Sequence, residues 1–319
     1  MAVQQSSSAV AGGTNPLRGI AMKIVSVSVF VAMSALIKAA GQLPAGQIVF
    51  FRSFFAILPI LAMLAWRQEL RTALHTSNPL GHIARGVVGV SAMGLGFFAL
   101  TRLPLPEAIT LNYAQPLLVV VFSALFLGET IRVYRWTAVA VGLVGVVIIS
   151  WPKLTLFAGG GGMESEQALG VAAALVGAAV SAVAMLLVRR LVQTEKTATI
   201  VLWFSLTASF MALMTLPFGW AALSASQAAL LVGAGICGGL GQILMTESYR
   251  YAEASTVAPF EYSSMILGIA VGYLAFGDLP TVYTIVGGVI VVAAGIFIIW
   301  RERQLGLERG RARKVAPTQ

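Results

Sequence analysis

Arg52 sits in the run FFRSFF (50–55), a fixed positive charge among phenylalanines. A guanidinium there can hold an anionic group or stack on a flat π system. Snorkelling or a structural ion pair would explain it without a ligand. Arg85 and His82, in HIARG (82–86), are three residues apart and share a helix face. Together they suit an inner gate or a lipid phosphate, and snorkelling to the interface accounts for Arg85 equally well. Asn112, Tyr113, Gln115 and Pro116 stand close together in PEAITLNYAQPLL (106–118), which also carries Glu107. Both amides can point at one face. Pro116 removes the N–H that would bond the Asn112 carbonyl, which frees an acceptor and kinks the helix.

A second proline-interrupted polar segment holds Pro259, Glu261, Tyr262, Ser263 and Ser264. Tyr113 and Tyr262 can stack on a flat ring from both sides, or pack with their phenols bonded to neighbours. Glu261 can carry a coupling proton, hold a cationic solute, or neutralise Arg52 or Arg85, since a desolvated carboxylate needs a proton or a cation. Gln242, Thr246 and Arg250 recur at helical spacing, with Glu247 adjacent. Gln242 is deep enough to meet a solute, whereas Glu247 lies nearer an interface and suits gating or solvation.

The elements that must position these residues are apolar. Of 319 residues, 58% are hydrophobic and only 10% charged, with a mean hydropathy of +0.88. Soluble domains carry roughly 25% charge, so a cytosolic globular enzyme is excluded. Ten apolar segments follow one another: 18–38, 46–66, 80–101, 106–127, 134–151, 167–189, 196–217, 226–248, 254–276 and 281–300. Each is long enough to cross a hydrocarbon core of roughly 30 Å as a helix. The fold class expected is all-α integral membrane. Residues 1–17 read as a disordered tail without a signal peptide's basic start, residues 152–166 as a flexible linker, and 301–319 as a basic tail.

The formal charge of +9 does not imply nucleic-acid binding, because most Lys and Arg residues lie between the spans. Placing the N-terminus in the cytoplasm puts sixteen of them inside and three outside (Lys38, Arg102 and Lys153). That bias predicts ten spans with both termini cytoplasmic.

Adding 149 to positions in the fourth and fifth segments reaches matches in the ninth and tenth. Tyr113 meets Tyr262, Gly128 meets Gly277, Glu129 meets Asp278, and Trp151 meets Trp300. Five helices per half is odd, so the second copy (167–300) enters the membrane inverted relative to the first (18–151). Inverted repeats with paired, broken polar helices are the architecture of secondary transporters. An intramembrane enzyme would need a nucleophile–base or metal constellation, and no such motif is present. Two histidines and the single Cys237 offer neither a metal site nor a disulfide framework.

The motifs FFRSFF, HIARG, PEAITLNYAQPLL, FLGE (126–129) and APFEY (258–262) resemble the drug/metabolite transporter superfamily, in the branch built from two EamA repeats. The resemblance implies a bacterial inner-membrane carrier that works by alternating access and needs no cofactor. FFRSFF and HIARG are most similar to members assigned to riboflavin or S-adenosylmethionine uptake; other members export amino acids or purine-type metabolites. Riboflavin uptake is the leading expectation. The expected partners are a small-molecule solute, the bilayer and a second copy of the chain. The expected binding residues are Arg52, Asn112, Tyr113, Gln115, Gln242, Glu261 and Tyr262. Arg85, Pro116, Pro259 and Glu247 are expected to gate or to shape the structure.

Overall fold

Long apolar runs give helices, and among the described residues there is no strand. The computed structural model describes residues 16–127, 133–154, 163–191, 194–251 and 258–315. The turn with Gly128 and Glu129, and the glycine run of the linker, lie outside them. The helices are α1 (Pro16–Ala39), α2 (Ala45–Trp66), α3 (Pro79–Leu100), α4 (Leu105–Asn112), α5 (Ala114–Leu127), α6 (Val133–Leu154), α7 (Met163–Leu191), α8 (Thr197–Leu213), α9 (Ala225–Tyr251), α10 (Ser263–Phe276) and α11 (Val282–Val315). Eight spans meet the length and hydropathy of a crossing helix, α4 and α5 together forming one, and two shorter apolar helices complete ten. Large apolar side chains such as Phe54, Leu58, Phe210 and Leu274 face outward, as a lipid-facing surface requires.

Three boundaries depart from the sequence reading. The fourth segment is divided at Tyr113, whose N–H bonds the Thr110 carbonyl at 3.1 Å. The break falls within a turn of Pro116, where the missing N–H was expected to act. The ninth segment enters through a 3₁₀ turn, Ala258–Tyr262, before α10 begins. The basic tail, expected as a solvated end, continues α11 as helix to Val315.

The packing is symmetric under exchange of the halves. α1 packs on α9 as α7 packs on α3, and α2 packs on α9 as α8 packs on α3. α2 lies on its own counterpart α8, and α6 on α11. Paired helices run in opposite senses: the Ser26 hydroxyl donates to the Gly241 carbonyl at 2.7 Å, while Gln227 Nε2 donates to Ala40 O at 3.0 Å. Small residues set these crossings. A Cβ on Gly235 would lie 2.7 Å from the Phe51 carbonyl oxygen, and one on Gly239 2.7 Å from that of Ala56. The Gly235–Gly239 spacing is therefore the seam where α9 meets α2, the close approach such spacing permits.

Candidate functional site

The two ends of the bundle are called proximal, where α1 begins, and distal, where α1 ends. Between them, α2, α8 and α9 border a small, partly open cavity of about 10 Å³ lined by Arg52, Ala56, Phe204, Ser205, Gly238 and Gln242. Ligand pockets usually measure roughly 300–1000 Å³, so in this conformation the space has room for about one water-sized group and must widen to take a solute. Arg52 reaches it from the second turn of α2 and is only 9% exposed. Its Nε has no hydrogen-bond partner. Gly238 makes room for it, since a Cβ there would sit 3.1 Å from Nε.

Arg85 does not snorkel. Its guanidinium lies against Gly89, one turn deeper into α3, and stacks 4.2 Å above the Phe204 ring. Arg85 Nε and Nη1 are buried without partners. Arg52 and Arg85 are close enough to repel each other. Among the described residues neither is paired with a carboxylate. Phe204 is the residue that the sequence reading missed; only the fold brings α8 between the two arginines, and no local spacing signals it.

The remaining sequence-selected residues lie elsewhere. Tyr113 and Tyr262 meet edge to face, their ring centroids 5.1 Å apart, and the Tyr113 hydroxyl is hydrogen-bonded to the Ser264 hydroxyl. The two rings contact each other, so in this conformation they sandwich no ligand. This is the packing alternative, with the phenol bonded to a neighbour. Asn112 and Pro116 are exposed and Gln115 is half-buried; none of them lines the cavity. Pro259 falls in the 3₁₀ turn. Glu261 neutralises neither arginine. It is more than half exposed and pairs at 3.4 Å with Lys23, which is 1% exposed. Lys23 was read from sequence as a surface charge setting orientation, but it is a buried side chain of α1.

Polar groups tie both ends. Distally, Lys38 Nζ donates to the Leu103 carbonyl at 2.7 Å and pairs with Asp278 at 3.1 Å. Gly277, at φ +68°, closes α10 in a left-handed turn, with the Asp278 N–H on the Gly272 carbonyl. This is the glycine-closed helix end, and it aims the Asp278 carboxylate at the first N–H of α4, that of Leu105, 3.0 Å away. The FGD text of the second half thus encodes a helix stop followed by a cap for a helix of the first half. Proximally, Arg67 pairs with Glu247 and joins α2 to α9.

At the same end the Glu195 carboxylate accepts from Thr76 Oγ1 (2.7 Å), Ser77 N (3.0 Å) and Ser77 Oγ (3.1 Å). His82, buried and stacked on Trp203, places Nε2 3.8 Å from it. The Thr76 hydroxyl first, then the Ser77 donors, hold the Glu195 carboxyl below its usual value. A depressed folded value contributes stability that is complete above the ordinary carboxylate range and is lost as pH falls through the folded value. Glu195→Gln is therefore expected to lower the melting temperature at neutral pH. In strongly acidic buffer wild type and variant should melt together. A constant difference across that range would mean that the charge is not what binds this loop.

Helices long enough to cross a membrane and two halves related by exchange define a multi-pass membrane protein. The chain belongs to the EamA-like transporter family, whose repeat matches residues 17–151 and again 168–301. It is 31% identical over 287 residues to the pseudopaline exporter of Pseudomonas aeruginosa, covering 87% of this chain and 94% of that protein. It is 29% identical over 303 residues to the riboflavin transporter of Rhizobium johnstonii, covering 95% of each. It is 26% identical over 261 residues to the S-adenosylmethionine uptake transporter of Rickettsia prowazekii, covering 81% of this chain and 84% of that one. One solved crystal structure shares the fold at 20% identity, with a TM-score of 0.62 over 90% of this chain and 98% of that one.

Proposed function

We propose that this chain is a secondary transporter of the bacterial inner membrane that moves a small organic, ring-containing metabolite by alternating access, with both termini in the cytoplasm. The observation that supports it best is the packing of α2 on its repeat counterpart α8, beside a cavity that Arg52 and Gln242 line. The cavity is too small for a whole solute, which fits a conformation that must open at one end to load. Of the binding residues chosen from sequence, the proposal rests on Arg52 and Gln242, with Arg85 beside them. Riboflavin uptake is the first substrate reading, supported by the motif resemblance and by one relative's name. S-adenosylmethionine uptake is the second, supported by another relative's name.

Purified full-length protein in proteoliposomes is the direct test, with labelled riboflavin, S-adenosylmethionine, amino acids and purine metabolites loaded on either side. Protein-dependent movement of one solute is expected, and Arg52→Ala should slow it by about tenfold, as loss of one charge-assisted contact implies. No movement of any of them in either direction would sink the substrate range. A pH jump in the same vesicles addresses coupling: transport by Glu261→Gln that keeps its pH dependence removes a proton role from Glu261.

A further inference from the structure

The cavity wall is cationic on one side and bears no acid. Arg52 is nine-tenths buried and lines the cavity, its Nε without a partner, and half-buried Arg85 stacks on the Phe204 ring with its Nε and Nη1 buried and unpartnered. A buried and a half-buried guanidinium that repel each other are poor fold-builders, because their buried N–H groups lack the acceptor that burial demands. An acceptor that is itself negative answers both faults, since it relieves the repulsion and takes hydrogen bonds. The glycine at 238 and the Arg85 seat on Gly89 keep both side chains extended toward this region instead of toward an interface. The space is water-sized in this conformation, so an oxyanion reaches Arg52 only as the cavity opens.

We infer that this cavity is an anion subsite in which Arg52, backed by Arg85, holds the carboxylate of the transported metabolite. The inference deepens the transport reading and rests on it for its biological meaning. It separates the substrate candidates by head group and reorders them: a solute with an amino-acid carboxylate fits the subsite, whereas riboflavin, the first reading by resemblance, has no carboxylate to offer it. Arg52 offers a fork of N–H donors that matches a carboxylate, and Phe204 provides an apolar floor for the adjoining ring or chain.

The subsite can be tested without knowing the solute. Purified full-length protein in detergent is heated with benzoate or with benzamide at equal ionic strength, chloride making up the balance. Benzoate is expected to raise the melting temperature and benzamide to leave it unchanged. The benzoate effect should vanish in Arg52→Gln and Arg85→Gln and return in part in Arg52→Lys. Without ligand, both glutamine variants should melt at or above the wild-type temperature, because each removes an unpaired, repelled charge. Equal responses to acid and amide, variants that respond like wild type, or variants that melt below wild type would each overturn the inference, the last by making the arginines structural.

A matched transport arm uses S-adenosylmethionine against its carboxyl methyl ester, with expected preference for the acid of at least tenfold, lost in Arg52→Gln. Carboxylate binding with no solute moved by the vesicles would remove the transport reading and leave the subsite. Movement of the ester as fast as the acid would remove the subsite and leave the transporter.

Discussion

Lys38→Met is expected to unlock the distal end and to reduce transport about tenfold or more, while Lys38→Arg should stay within about threefold of wild type. Lys38 holds three segments at once: its own helix α1, the backbone at Leu103 and the carboxylate of Asp278. Asp278 in turn caps α4 through the Leu105 N–H. Both side chains are less than one-fifth exposed. Removing one partner of a well-buried pair costs about 3–5 kcal/mol. Partial exposure here reduces that to about 2 kcal/mol, enough to shift an open–closed equilibrium more than tenfold. Methionine keeps the length and loses the charge; arginine keeps the charge and a donor for Leu103.

The measurement is labelling of a cysteine placed at Leu103, a residue 1% exposed in this conformation, in a Cys237→Ser background. A membrane-impermeant reagent should react about tenfold faster in Lys38→Met than in the control, consistent with the same shift. Labelling at the control rate would show that the distal end is held by other contacts, of which Arg102 with Glu166 is the nearest in kind.

What the residues disclosed in advance follows a physical division. Span number, the repeat and the break near Pro116 depend on hydropathy, periodicity and a missing N–H, all local properties of the chain. The Gly-Asp turn was visible as repeated text, yet its job was not, because the Asp278 acceptor serves an N–H 173 residues away. Side-chain direction was the other blind spot. Arg85 lies near a helix start, where snorkelling is the usual outcome, and it turns inward because Gly89 and Phe204 leave an aromatic seat there. Lys23 looked like a solvated orientation signal and is instead buried against Glu261. The polar breaks of the fourth and ninth segments attracted the site prediction. The structure joins Tyr113 to Tyr262 and Ser264 across those breaks, and puts the cavity on the second, seventh and eighth segments.

Gly239→Leu is expected to abolish the folded protein, and Gly239→Ala to lower its melting temperature by several degrees, although alanine is the better helix former. A Cβ at 239 meets the side chain of Pro59 and lies 2.7 Å from the Ala56 carbonyl oxygen and 3.1 Å from the Ala56 Cα. The backbone cannot rotate out of the way as a flexible side chain would, so α9 must lift off α2. Overpacking of a close crossing costs about 1–3 kcal/mol, against roughly 1 kcal/mol gained from helix propensity. Leucine adds a whole isobutyl group to the same seam. Gly94 supplies the contrast, because a Cβ there meets nothing within 4 Å; Gly94→Ala should keep or raise the melting temperature. The seam also borders the cavity, through Gly238 and Arg52, so the Gly239→Ala protein that does fold should lose its response to benzoate as well as its stability. Equal melting of Gly239→Ala and Gly94→Ala would mean that α9 has room to spare against α2, and the packing that shapes the Arg52 pocket would have to lie elsewhere.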